Sequence, residues 1–234
     1  MSGTRGIVSR PDIALVLPAL ARETDALVDR ALSGFLDYDF LEHSILGGRL
    51  SGGHVVTYLA READRMADLL LAAIGRPLPA PDRDRRWELG EGGNLRPGAV
   101  LVADLDVSAE RLTNAMALVE DWSAVPAELQ VVPAHRLLQV IVHHADLGRS
   151  WQDLSQTDAV TVVSMLPSIL AGELTGFELV IRNDDRALTS ASIADGTTEI
   201  TGEPRALIAW ATGRRVPGDA APPDPPSPPL RVWI

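Results

Sequence analysis

A chain of 234 residues, 46% hydrophobic and 23% charged, can bury a substantial core, and its length allows one large domain or two small ones. A formal net charge of -11 argues against a nucleic-acid partner, whose affinity is built largely from Lys and Arg contacts to phosphate. Cysteine is absent and all 21 basic residues are arginine, which excludes disulfides, Cys-type zinc sites, thiolate nucleophiles and lysine Schiff bases.

Residues 11 to about 36 carry Ile13, Val16, Leu17, Leu20, Leu27 and Val28 at helical spacing, with Pro11-Asp12 suited to a first turn. The Gly-rich segment 47–53 closes one element and opens the next. Ser51 is the expected N-cap of a second helix running through His54, Tyr58, Leu59, Met66 and Leu70 to Gly75. Residues 76–97 are rich in Pro, Gly and alternating charge, which predicts a solvated loop. A third helix is expected to follow Asp106-Val107-Ser108 and run to about Trp122. A fourth is expected from near Ala134 to Leu147, and a fifth over about 157–171, kinked or shortened by Pro167. After Gly172 the period changes. Residues 177–182 alternate as a strand, Asn183-Asp184-Asp185 is turn chemistry, and residues 197–202 read as another strand. Glu203-Pro204 then opens a short helix through Leu207, Ile208, Trp210 and Ala211 that stops at Gly213. Seven prolines after Val216 favour an extended tail over 217–234.

Two polar pairs stand out. His54 and Tyr58 on the second helix are four residues apart, as are Gln139 and His143 on the fourth, so each pair shares a helix face. Polar side chains aimed inward from the middle of a bundle build metal or catalytic sites, but they are equally met as hydrogen-bonded core residues. Spacing alone does not choose between these.

The segments Glu42-His43-Ser44-Ile45-Leu46-Gly47-Gly48, Gly53-His54-Val55-Val56-Thr57-Tyr58-Leu59-Ala60 and Val142-His143-His144-Ala145-Asp146-Leu147-Gly148 together resemble the mycothiol-dependent maleylpyruvate isomerase family, within the wider DinB-like four-helix superfamily. The segments 200–202 and 209–214, with the Pro-rich end finishing in Trp233, also look like that family's small C-terminal domain. The resemblance implies an α+β chain: a DinB-like four-helix bundle over 1–172, a small α/β domain over 173–216 and the Pro-rich tail. It also implies a divalent metal, usually zinc, held by two histidines and a glutamate. Carried over, those ligand positions fall on Tyr58, Gln139 and His143. Only His143 is an ordinary zinc ligand. Neutral Gln lacks the anchoring charge, and a phenol with a pKa of about 10 is a poor substitute for imidazole, so tight zinc binding is not expected.

In the family the metal activates the thiol of a small-molecule cofactor, which adds to a conjugated double bond, permits rotation and is eliminated. By that resemblance mycothiol is a candidate cofactor. Without the metal, Tyr58 remains able to donate a proton or stabilise an oxyanion, and His143 to act as general base. Gln139, His54 and His144 are candidate substrate-binding groups, and the resemblance adds Trp210 and Arg214. Each has a structural alternative in packing or helix-end stabilisation. The leading expectation is a divergent, metal-free isomerase or transferase acting by acid/base chemistry on a small organic or secondary-metabolite substrate. Two others stay open: thiol-dependent isomerase activity with a rearranged metal site, and a non-catalytic ligand-binding or regulatory protein. No run reaches the about 18 apolar residues of a membrane-spanning helix, so a cytoplasmic monomer or homodimer without membrane partner is expected.

Overall fold

A computed structural model of the chain describes residues 12–34, 44–45, 50–76, 96–169, 177–183, 186–193 and 198–214. The expected Pro-rich tail, the loop over 77–95 and the turn at Asp184-Asp185 lie outside the described residues. Contacts gather the chain into two compact units. One is Pro18–Arg149; the other comprises the residues up to Leu17 and from Ser150 onward. Among the described residues no helix is long and apolar enough to cross a membrane.

The unit over 18–149 contains most of α1 (Ile13–Gly34), the two-residue antiparallel pair β1 (Ser44–Ile45) and β2 (Leu50–Ser51), and helices α2 (Gly52–Ala73), α3 (Gly98–Ala117) and α4 (Val132–Asp146). On α2 the buried residues Val55, Val56, Leu59, Ala60, Ala63, Met66, Ala67 and Leu70 form one stripe, which packs most extensively on α3. The facing stripe of α3 is Leu101, Val102, Leu105, Ala109, Leu112 and Met116. Burying a Leu or Met of this kind contributes about 2 kcal/mol against leaving it in water.

The expected start of α3 just after Asp106-Val107-Ser108 is corrected: the helix begins at Gly98 and runs through all three. Ser108 is not a cap but a fully buried residue whose hydroxyl donates to Asp64 Oδ2 on α2 at 3.2 Å. The helix also ends at Ala117 instead of near Trp122. Where the sequence suggests the last helical turn, Asp121 Oδ1 accepts from the Ser123 amide at 2.8 Å and the Ser123 hydroxyl at 2.7 Å, a local turn that replaces helix there.

Between α2 and α3 runs a chain of charges. Arg61 pairs with Asp64 at 3.0 Å and also with Asp104, which in turn accepts from Arg96 at 3.0 Å. Arg111 bridges Asp64, at 3.2 Å, and Asp68. Arg61 is buried and Asp104 partly so, which holds this pair in a setting of lowered dielectric where loss of one partner is costly.

Helix α4 is buried almost all round: residues 132–134 and 136–144 are all inaccessible. A helix enclosed on every face must house its polar side chains inside, each needing a partner. It ends at Gly148, whose φ of 91° is the left-handed conformation that glycine adopts freely, and the Arg149 amide closes back onto His144 O at 3.1 Å.

The second unit holds a 3-10 turn (Trp151–Asp153), α5 (Gln156–Ile169), strands β3 (Phe177–Asn183), β4 (Arg186–Ile193) and β5 (Thr198–Gly202), and α6 (Pro204–Ala211). The sheet order is β4-β3-β5, with β3 antiparallel to β4 and parallel to β5. Strand β4 adds to the two strands expected from the sequence. Helix α5 packs on α6, and its start is capped by Ser155, whose hydroxyl accepts from the Asp158 amide at 3.0 Å. The expected boundaries of α6 hold. Glu203 accepts from the amides of Arg205 at 2.9 Å and Ala206 at 3.3 Å, Pro204 fills the first turn, and Gly213 at φ 68° ends it.

Candidate functional site

Facing residues of α2 and α4 build one polar cluster within the unit over 18–149. Gln139 Nε2 donates to the Tyr58 hydroxyl oxygen at 2.9 Å, so the pair expected to meet across the site is hydrogen-bonded. The orientation of the Gln139 amide follows from its other neighbour. Arg136 Nη1 lies 3.5 Å from Gln139 Oε1, and a guanidinium can only donate, so the oxygen must face it and the nitrogen must face Tyr58. Tyr58 therefore accepts from Gln139 and directs its own hydroxyl hydrogen elsewhere.

His143 lies against the same tyrosine, with ring centroids 5.7 Å apart in an edge arrangement at 67°. Its Nδ1 is 2.9 Å from Asp146 Oδ2, one helical turn on. A carboxylate accepts, so Nδ1 carries the proton and Nε2 is the basic nitrogen. Gln139, His143 and Arg136 are buried, and Tyr58 is only half-buried. Burial, reinforced by the Glu62 carboxylate, pushes the Tyr58 phenol well above its ordinary value, so it stays protonated at every physiological pH.

Arg136 is not among the residues expected from the sequence, and Asp146 enters there only as a possible member of a rebuilt metal site or as a helix-end group. The spacing of Arg136, Gln139, His143 and Asp146 at three, four and three residues along one helix face was the available signal. Arg136 is 1% exposed, and its Nη1 donates to Leu59 O at 2.9 Å. Desolvation pushes its pKa down to about 10, which still leaves it cationic at neutral pH, while Tyr58 and Glu62 oppose the shift. His135, beside it in sequence, is also held below its ordinary value by burial.

The other candidates occupy different surroundings. His54 Nδ1 accepts from the Ser51 amide at 3.1 Å, the return half of a capping box at the start of α2. His144 Nδ1 accepts from Arg149 Nη1 at 3.3 Å, and Arg149 pairs with the buried Glu23 of α1. Trp210 and Arg214 belong to the other unit. Trp210 is buried within α6, and Arg214 Nη1 donates to Thr212 O at 2.6 Å.

The residues at the three carried-over ligand positions do not fit a tightly held zinc ion. His143, oriented through Nδ1 by a carboxylate, keeps the form of a ligand. Gln139 and Tyr58 are bonded to each other, and the only oxygen Gln139 has to offer faces a guanidinium, whose charge repels a cation. Among the described residues no group of three or more His, Asp or Glu side chains is placed to hold a metal.

No protein-family model and no curated protein matches the chain. Among solved structures it is similar to a mycothiol-dependent maleylpyruvate isomerase, at 20% identity over 91% of this chain and 94% of the other, with a TM-score of 0.66. A histidine-to-alanine variant of the mycothiol-dependent maleylpyruvate isomerase aligns at 21% identity over the same shares, again with a TM-score of 0.66. Nine-tenths of the chain therefore has the fold of the mycothiol-dependent maleylpyruvate isomerase.

Proposed function

We propose that the chain is a divergent enzyme on the thiol-dependent isomerase fold that works without a metal, by acid/base chemistry on a small organic or secondary-metabolite substrate. The observation that carries this is the pairing of a proton donor with an oriented base: Tyr58, whose oxygen accepts from Gln139 and so leaves its hydroxyl hydrogen for another acceptor, beside His143, whose Nε2 is made basic by Asp146.

A substrate carbonyl oxygen accepts the Tyr58 hydroxyl while His143 Nε2 removes a proton from a carbon adjacent to, or conjugated with, that carbonyl. The electrons of the broken C–H bond move onto the carbonyl oxygen, where the Tyr58 hydrogen bond stabilises the enolate. Asp146 stabilises the imidazolium that forms. Return of the same proton to a different carbon completes an isomerisation; attack of the enolate carbon on a second carbonyl carbon of the same molecule, whose C–O π electrons move onto oxygen and take the proton back from His143, gives cyclisation. A phenol with a raised pKa suits the role of hydrogen-bond donor, because it does not lose its proton to the enolate. Gln139 positions Tyr58. With no cysteine in the chain, a thiol such as mycothiol would enter as a separate cofactor.

The test is deuterium incorporation from solvent into a panel of enolisable ketones and 2-oxo acids, read by proton NMR, for the wild type, His143→Ala and Tyr58→Phe. Exchange is expected in the wild type and is expected to fall by about 10²-fold or more in each variant. Equal exchange in all three proteins defeats the proposal. About one equivalent of zinc in protein purified without chelator defeats its metal-free part.

A further inference from the structure

Among the described residues Arg136 is a buried cation with no carboxylate paired to it. Its Nη2 is buried with no hydrogen-bond partner among them. The carboxylate electrostatically coupled to it, Glu62, is held by Arg65 through contacts of 3.0, 3.0 and 2.7 Å. Arg65 can supply nothing to Arg136 but repulsion. An uncompensated buried charge costs several kcal/mol, so a buried guanidinium nitrogen with no acceptor calls for an explanation. The side chain that faces Nη1 is Gln139, whose Oε1 lies 3.5 Å away, and a neutral amide does not offset the guanidinium charge.

We propose that Arg136, with Gln139, binds a carboxylate group of the substrate. The anion accepts from Nη2 and supplies the missing counter-ion. It enters over Tyr58, which is only half-buried and bonded to Gln139. Guanidinium and carboxylate are matched planar partners, which favours a carboxylate over a spherical anion such as chloride. This deepens the acid/base proposal, since a carboxylate at Arg136 places the rest of a 2-oxo acid beside Tyr58 and His143. It rests on that proposal only for where the reacting carbons lie.

The probes are 2-oxobutyrate and its neutral counterpart butanone, titrated into ¹⁵N-arginine-labelled protein. The Arg136 guanidinium signals, assigned by comparison with Arg136→Met, are expected to shift with 2-oxobutyrate and not with butanone or chloride. Two variants follow binding by calorimetry. Arg136→Met removes the charge, and Gln139→Glu supplies an internal carboxylate that competes with the ligand. Each is expected to weaken 2-oxobutyrate binding by about tenfold or more while retaining the helical circular dichroism of the wild type. Wild-type affinity in a folded Arg136→Met or Gln139→Glu, or no carboxylate binding by the wild type, overturns the proposal. Binding without deuterium exchange would sink the acid/base proposal and leave the anion site standing. Exchange into butanone as fast as into 2-oxobutyrate would do the reverse.

Discussion

Replacing Arg136 by Met is expected to stabilise the unliganded protein, which is unusual for a fully buried position. Lowering the guanidinium pKa to about 10 corresponds to about 3 kcal/mol of disfavour for its charged form, at about 1.4 kcal/mol per pKa unit. Methionine has a similar unbranched stem and brings no charge to be desolvated. The substitution forfeits the bond to Leu59 O at 2.9 Å and the long contact to Gln139 at 3.5 Å, about 1–2 kcal/mol together. The balance is a gain of about 1–2 kcal/mol, which for a chain of this size raises Tm by roughly 3–6 °C. Urea unfolding and calorimetry at neutral pH, in buffer free of carboxylates, measure it. A loss of about 3 kcal/mol or more would refute the reasoning, because it would mean that Arg136 has a charged partner and that removing the arginine strands that partner. A site residue whose removal stabilises the fold is the mark of a group retained for binding and not for structure.

Other perturbations follow from the same geometry. Asp146→Asn replaces an acceptor by a group able to donate to Nδ1, so it unsettles the His143 tautomer; the exchange rate is expected to fall by about 10²-fold or more with Tm little changed, and unchanged exchange would detach Asp146 from the chemistry. Asp104→Asn strips the buried Arg61 and the nearby Arg96 of a shared carboxylate, with an expected loss of about 3 kcal/mol in urea unfolding; a loss under about 0.5 kcal/mol would show that the Asp104 carboxylate is not needed to hold Arg61. His135 has a folded pKa below the ordinary 6.5, so the unfolded chain takes up its proton first as pH falls. Its contribution is full above about 6.5 and is lost as pH drops through the folded pKa. The NMR titration of its ring should have a midpoint below 6.5, and His135→Gln should flatten that part of the stability profile; a midpoint above 6.5 contradicts the assigned burial.

Much of the helical framework is legible in the sequence because caps and periodicity are local. Ser51 with His54 three residues on, Glu203-Pro204 and Gly213 each satisfy or release backbone groups within a few residues, so they mark α2 and α6 without reference to the rest of the chain. Polar residues in the apolar run of α4 likewise announce an interior polar site. Ser108 misleads for the opposite reason. A serine before a helical stretch has the local chemistry of a cap, and only its long-range contact with Asp64 shows that it lies inside a helix begun at Gly98.

Tertiary structure alone decided three things. Strand β4, Ala- and Ser-rich, has little intrinsic strand preference and exists through its pairing with β3. Adjacent His143 and His144 part company, one turned to Tyr58 and Asp146, the other to Arg149 and Glu23, because successive helical residues point about 100° apart and meet different neighbours. The open charge of Arg136 is a property of what surrounds it: the sequence shows an arginine and a glutamine three residues apart, but that no carboxylate of the described residues reaches the guanidinium is settled only when α2 and α4 pack.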